Sequence, residues 1–252
     1  MVRRTVRPGV SDSADLSDLF GVPPVEASSI GAEGHRARLR QRLLTAGPEA
    51  LADHEMLEMM LFLALPRRDT KPIAKELLTR FGGFGAVVTA SPDELRATEG
   101  LGDAGVAALK LAQAAALRLL RGDLTKRPVL ASWDALIGYL LAALRHEKTE
   151  QFRVLFLDAR ARLIVDELMG RGTINHAPVY PREIARRAVE LHAATVILAH
   201  NHPSGAANAS RDDVAMTKEV ARALQPLGIS LHDHLIVAGD ECVSLRQQGL
   251  YP

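Results

Sequence analysis

The segment His200-Asn201-His202-Pro203-Ser204-Gly205, followed by Ser210-Arg211-Asp212-Asp213, concentrates residue types that do chemistry. In an extended chain residues two apart point the same way, so His200 and His202 aim two imidazoles at one point. Pro203 and Gly205 break the strand and turn the chain. Asp213 then falls in the first turn of the next helix, where its carboxylate can be a third ligand. Two nitrogens, one carboxylate and a fourth position left for water make the coordination of a catalytic zinc. Each piece alone has a plainer reading. A His-x-His pair is commonly incidental, and Ser210-x-x-Asp213 is a capping box in outline. The two together at this spacing are far harder to meet by accident, and a cap also holds the carboxylate still.

The elements that must position these groups follow from the pattern around them. Residues 194–200 (ATVILAH) read as a buried strand leading into the histidines, and residues 210–224 as the helix carrying Asp213. Residues 152–157 and 163–165 read as strands joined by a polar turn, Asp158-Ala159-Arg160. A helix is expected over residues 181–192, and closing strands over 235–238 and 242–245. Strands interleaved with helices make residues 129–252 an α/β sandwich. Ahead of it the signals are helical. Leu39, Leu43 and Leu44, then Met56, Met59, Met60 and Leu63, share helical faces. Pro72 opens a third helix and Phe81-Gly82-Gly83 stops it. Ser91-Pro92-Asp93-Glu94 is a helix start, and residues 103–120 run as an Ala/Leu-rich helix. Residues 34–121 are therefore expected as a small all-helical domain and residues 122–128 (GDLTKRP) as a linker. Residues 1–30, with Pro23-Pro24 and no periodicity, read as a flexible tail.

Composition narrows the function classes. The 252 residues are 47% hydrophobic, enough for a real core and against wholesale disorder. Lys+Arg 31 against Asp+Glu 30 leaves a net charge near +1, with no global basic excess of the kind that marks many nucleic-acid binders. A single cysteine, Cys242, excludes an internal disulfide and a Cys-built zinc finger, and reads as a small buried hydrophobe. The arginines near the N-terminus lack an apolar stretch behind them, so no secretory signal is expected. Apolar runs are short or carry a charge, as Glu58 does in MLEMMLFLAL, so no membrane span is expected and a cytoplasmic location is.

The spacing His200-x-His202-x7-Ser210-x2-Asp213 resembles the JAMM (MPN+) zinc-hydrolase motif. The wording HNHPSG, the helix start Pro181-Arg182-Glu183 and the run Asp233-His234-Leu235-Ile236-Val237 are similar to bacterial RadC-type proteins. The likeness covers about residues 34–252, the helical front half included. It implies a JAMM/MPN+ domain holding one zinc per chain on His200, His202 and Asp213. It implies a glutamate from an early strand as general base, and Ser210 as hydrogen-bond donor to the oxyanion on the attacked carbonyl. Three glutamates stand upstream. Glu150 opens the strand where the family's glutamate resides and is the first choice. Glu167, before Gly170-Arg171-Gly172-Thr173, is the reserve, and Glu183 is better explained by stabilising a helix start. The implied reaction is hydrolysis of an amide or isopeptide bond in a protein or peptide.

A second class stays open: a DNA-associated accessory protein whose helical domain binds nucleic acid and whose metal is structural. Gly100-Leu101-Gly102-Asp103-Ala104-Gly105 resembles a helix-hairpin-helix turn, whose backbone amides can meet a phosphate. Glu99 and Asp103 beside it should repel phosphate, and the basic residue usual soon after the second glycine is absent, with Lys110 arriving late. Arg36, Arg38, Arg40 and Arg42 form a better basic footprint, although a solvated helix face explains them equally. His35, His54, His146 and His192 sit among charged or helical residues and carry no functional reading. His232 and His234 are expected to share a face, yet lack a third ligand. Asp233 or His234 could support a metal histidine from behind, and Asn201 points away from the histidines and is expected to fix the loop.

Overall fold

The structure is a computed structural model of the chain, and it describes residues 32–172 and 179–251. The tail expected over residues 1–30 lies outside the described residues. The described residues fall into two compact units, divided after Ala50. In the first, α1 (Ala32–Ala46) ends at Gly47, which takes a φ of +80° and donates its amide to the Leu43 carbonyl at 3.1 Å.

The second unit begins with helices. They are α2 (Asp53–Ala64), α3 (Lys71–Phe81), α4 (Phe84–Thr89), α5 (Pro92–Arg96) and α6 (Gly102–Lys126). Pro72 sits in the first turn of α3, and Gly82, at a φ of +86°, ends it. Ser91 caps α5, accepting from the Glu94 amide while the Glu94 carboxylate accepts from Ser91 N at 3.1 Å. Leu57, Leu61, Leu77, Val87, Leu95 and Leu109 form the core of this helical part.

The linker expected over residues 122–128 is corrected here: α6 continues to Lys126. Gly122 costs a helix interior roughly 1 kcal/mol relative to alanine. That cost is outweighed because Leu124, in the last turn of the helix, is fully buried in the next core beside Leu136 and Leu140. By their contacts the helical and α/β parts described here lie in one compact unit.

The sandwich itself is a five-stranded sheet in the order β2-β1-β3-β4-β5. Its strands are β1 (Gln151–Leu157), β2 (Leu163–Arg171), β3 (Thr195–Asn201), β4 (Ser230–Ala238) and β5 (Glu241–Ser244). Only β3 and β4 pair in parallel. One face packs on α7 (Trp133–Leu144), through Leu155, Leu157, Ile197, Ala199, Leu235 and Val237. The other packs on α8 (Pro181–Glu190) and α9 (Arg211–Leu224), through Phe152, Val154, Phe156, Val196 and Leu198.

A bulge in β4 decides which face its histidines see. Val196 pairs with Leu231 but Ile197 pairs with Asp233, so His232 is an extra residue and the alternation inverts there. His232 turns to Trp133 of α7, edge to face at 5.8 Å, while His234 turns to Phe152 on the α9 face. The expectation that His232 and His234 share a face is therefore overturned. A period of two holds only in an unbulged strand. Among the described residues no helix is long and apolar enough to cross a membrane.

Candidate metal centre

β3 delivers His200 at its buried end, and the chain leaves the sheet one residue later. His202 N donates to the Val237 carbonyl at 2.9 Å, and the turn closes with Gly205 N on the His202 carbonyl at 3.0 Å. Gly205 takes a φ of +78°, a region that suits glycine. The turn sets the Ala206 carbonyl 2.6 Å from His202 Nδ1. α9 then starts at its N-cap Ser210, with Asp213 in the first turn. There the aligned peptide dipoles favour a negative charge.

The structure brings His200, His202 and Asp213 together, with one ligand atom of each lying within 4.8 Å of the others. His200 Nε2 lies 2.9 Å from His202 Nε2 and 3.2 Å from Asp213 Oδ1. His202 Nε2 lies 3.6 Å from Asp213 Oδ2. Ligands held tetrahedrally at the usual zinc distances stand about 3.3 Å apart, so the three spacings bracket what a zinc needs. The donor set fits as well. His202 Nδ1–H donates to a carbonyl, which leaves Nε2 with its lone pair. Nothing but a proton or a metal cation can reconcile that lone pair with a second imidazole nitrogen and a carboxylate at these distances.

The electrostatics of the site agree. Burial pushes the Asp213 carboxyl up, but hydrogen bonds from His200, His202 and Ser210 outweigh it and hold the group far below the usual carboxylate range. Asp213 raises the proton affinity of His202, burial opposes this, and the Glu150 charge adds to the rise. The Glu150 carboxylate is therefore close enough for His202 to feel. Glu150 stands one residue ahead of β1 and two before Phe152, which stacks against His200 at 6.0 Å.

Ser210 N and Oγ both donate to Asp213 Oδ2, at 2.7 and 2.6 Å, and Ser210 Oγ accepts from Asp213 N at 3.0 Å. Ser210 is thus an N-cap that also orients the carboxylate, leaving Oδ1 as the oxygen nearest His200. The reserve base, Glu167, is held by the Arg187 guanidinium of α8 at 2.6 to 3.0 Å and is occupied there. Glu183 pairs with Arg186 at 3.0 Å in the first turn of α8.

Three neighbours complete the surroundings. Asn201 accepts from Gln151 N at 2.8 Å and donates to the Glu147 and Thr149 carbonyls, both at 3.1 Å, so it ties the segment around Glu150 to β3. His234 backs His200, with Nε2 2.8 Å from His200 Nδ1. Thr217, which the reading of the sequence passed over, reaches His234 Nδ1 at 2.6 Å. Its signal was available: it lies four residues after Asp213 on a helix, hence on the same face. Asp233 turns elsewhere, accepting from His234 N, Ser244 Oγ and Arg246 N. Cys242 is half-buried, and burial pushes its thiol up to about 12.

The hairpin at Gly100 and Gly102 joins α5 to α6 with φ values of +79° and +59°. Arg68 donates to the Gly100 carbonyl at 2.6 Å, and Arg96 bridges Asp93 and Asp103 at 2.7 and 2.9 Å. The Asp103 charge is therefore partly offset. Lys110 turns inward to the Val88 and Ala90 carbonyls at the end of α4.

Two family models match separate parts of the chain. Residues 33–107 match the UPF0758 N-terminal family and residues 130–250 match the RadC-like JAB domain. A UPF0758 protein of Rhodobacter capsulatus is 51% identical over 212 residues, covering 84% of this chain and 99% of its own length. Another, from Ruegeria pomeroyi, is 47% identical over 215 residues, covering 85% of this chain and 96% of its own. With its helical front part and its cluster of His200, His202 and Asp213, the chain belongs to the UPF0758 family of RadC-like JAB-domain proteins.

Proposed function

We propose that the chain is a JAMM-type zinc hydrolase acting on an amide or isopeptide bond of a protein or peptide. One observation carries the reading: two imidazoles and a carboxylate converge, with the Nδ1 of each imidazole engaged away from the cluster. His200 Nε2, His202 Nε2 and Asp213 would hold the ion. A zinc there supplies Lewis acidity and a water whose pKa falls to about 7.

The protein's own groups do the rest. Glu150 would take one proton of the attacking water and deliver it to the departing amine, so that the acid and amine released ionise to a carboxylate and an ammonium. The Ser210 hydroxyl rotates from Asp213 Oδ2 to the oxygen of the attacked carbonyl, where it donates to the developing charge. Protein purified without chelator or affinity metal should carry about one zinc per chain by elemental analysis, and His200→Ala should lose it. Glu150→Gln should keep the metal but lose turnover of peptide and isopeptide substrates about 10²- to 10⁴-fold. A wild type that stays metal-free when zinc is offered would remove the reading.

A further inference from the structure

We propose that Thr217 and His234 are positioning residues that set the tautomer of His200, and so choose the nitrogen it turns toward the metal. The inference rests on the metal reading above and extends it by two residues.

Thr217 Oγ1 lies 2.5 Å from the Asp213 carbonyl oxygen and 2.6 Å from His234 Nδ1. A carbonyl oxygen carries no proton, so the single hydroxyl hydrogen must fill the 2.5 Å contact. The reverse arrangement would press two sets of oxygen lone pairs together. Thr217 Oγ1 therefore accepts from His234, which carries its proton on Nδ1. His234 Nε2 is then bare, 2.8 Å from His200 Nδ1, and accepts from it. The one ring nitrogen of His200 left with a lone pair is Nε2, which faces His202 and Asp213 Oδ1.

Water cannot substitute in this chain, because His200, Thr217 and His234 are all fully buried. Phe152 closes the space beside them, stacked on His200 at 6.0 Å and edge-on to His234 at 5.6 Å. The relay runs from a ligand on β3 to the backbone of Asp213 on α9. It thereby links the two elements that bring the ligands, and it adds no charge beside the ion. Metal histidines are usually backed by a carboxylate, a carbonyl or water. Here an imidazole and a hydroxyl do this work.

Two measurements test the relay. In zinc-free wild type, long-range ¹⁵N–¹H correlation spectra of the histidine rings should show His200 and His234 protonated on Nδ1. Zinc affinity, read by competition with a chromophoric chelator, should fall about 10- to 100-fold in Thr217→Val and recover in Thr217→Ser. The Thr217→Val spectra should also show an Nε2-protonated population of His200. Wild-type His200 protonated on Nε2 overturns the proposal. So does a folded Thr217→Val with wild-type affinity and an unchanged His200 tautomer. His200→Ala and wild-type uptake judge the metal reading separately: a wild type that takes no zinc ends that reading, while the zinc-free spectra still decide the relay.

Discussion

Asn201 stands between His200 and His202, and its side chain turns away to the segment before β1. Its three hydrogen bonds to residues 147, 149 and 151 are what hold the start of β1, and with it Glu150, against the end of β3. Asn201 is 2% exposed, so alanine there leaves a buried amide and carbonyls without partners. Such a loss costs about 1–3 kcal/mol. Asn201→Ala is expected to lower stability by that amount in denaturant titration while zinc content by elemental analysis stays at the wild-type level, because neither imidazole contact passes through the side chain. Loss of zinc in a folded Asn201→Ala would contradict this division of labour. At this scale the histidines and Asp213 were legible because they are close in sequence. One strand period aims the two rings, and a cap places Asp213 in the first turn of the next helix. Glu150 was chosen because it opens the strand where the resembled family carries its glutamate, and the pairing of the reserve, Glu167, with Arg187 appears only in the fold.

Two elements show where local signals stop sufficing. Apolar residues run nearly all round α7, in WDALIGYLLAAL, so it has no amphipathic period to read, and it is missing from the sequence analysis. In α6, Gly122 reads locally as a break, yet the helix passes through it because Leu124 is buried beyond. An added Cβ at Gly122 would meet nothing within 4 Å. Gly122→Ala should therefore stabilise the protein by about 0.5–1 kcal/mol through helix propensity alone, measured by urea unfolding. No gain in stability would favour an unstructured linker. β4 makes a related point. Only the bulge at His232 turns His234 onto the α9 face, and no run of residues within β4 announces it.

Across the whole molecule, residues 51–252 form one compact unit, so an event at the metal centre should register in its global unfolding. A ligand bound only by the native state stabilises it by mass action, about 2.7 kcal/mol at a hundredfold excess over its Kd. For a unit of this size that corresponds to roughly 5–10 °C in Tm. Zinc at that excess should raise the calorimetric transition by this amount over the chelator-treated protein, and His202→Ala should abolish the difference. An equal zinc-induced rise in His202→Ala would place the stabilising ion elsewhere.

The sequence alone determined what lies within a turn or a strand of itself: the alternating histidines, the capped aspartate, the proline and glycine punctuation, and the order of helices before a mixed α/β part. Those are set by backbone periodicity and local hydrogen bonds, which depend on near neighbours. What the tertiary structure decided are the pairings of distant segments. β4 lies parallel beside β3, a bulge turns one histidine inward, and α9 seats Thr217 against it. Burial of the sheet face between α8 and α9 holds these together, and hydrophobic burial carries no direction that a local stretch of residues could reveal.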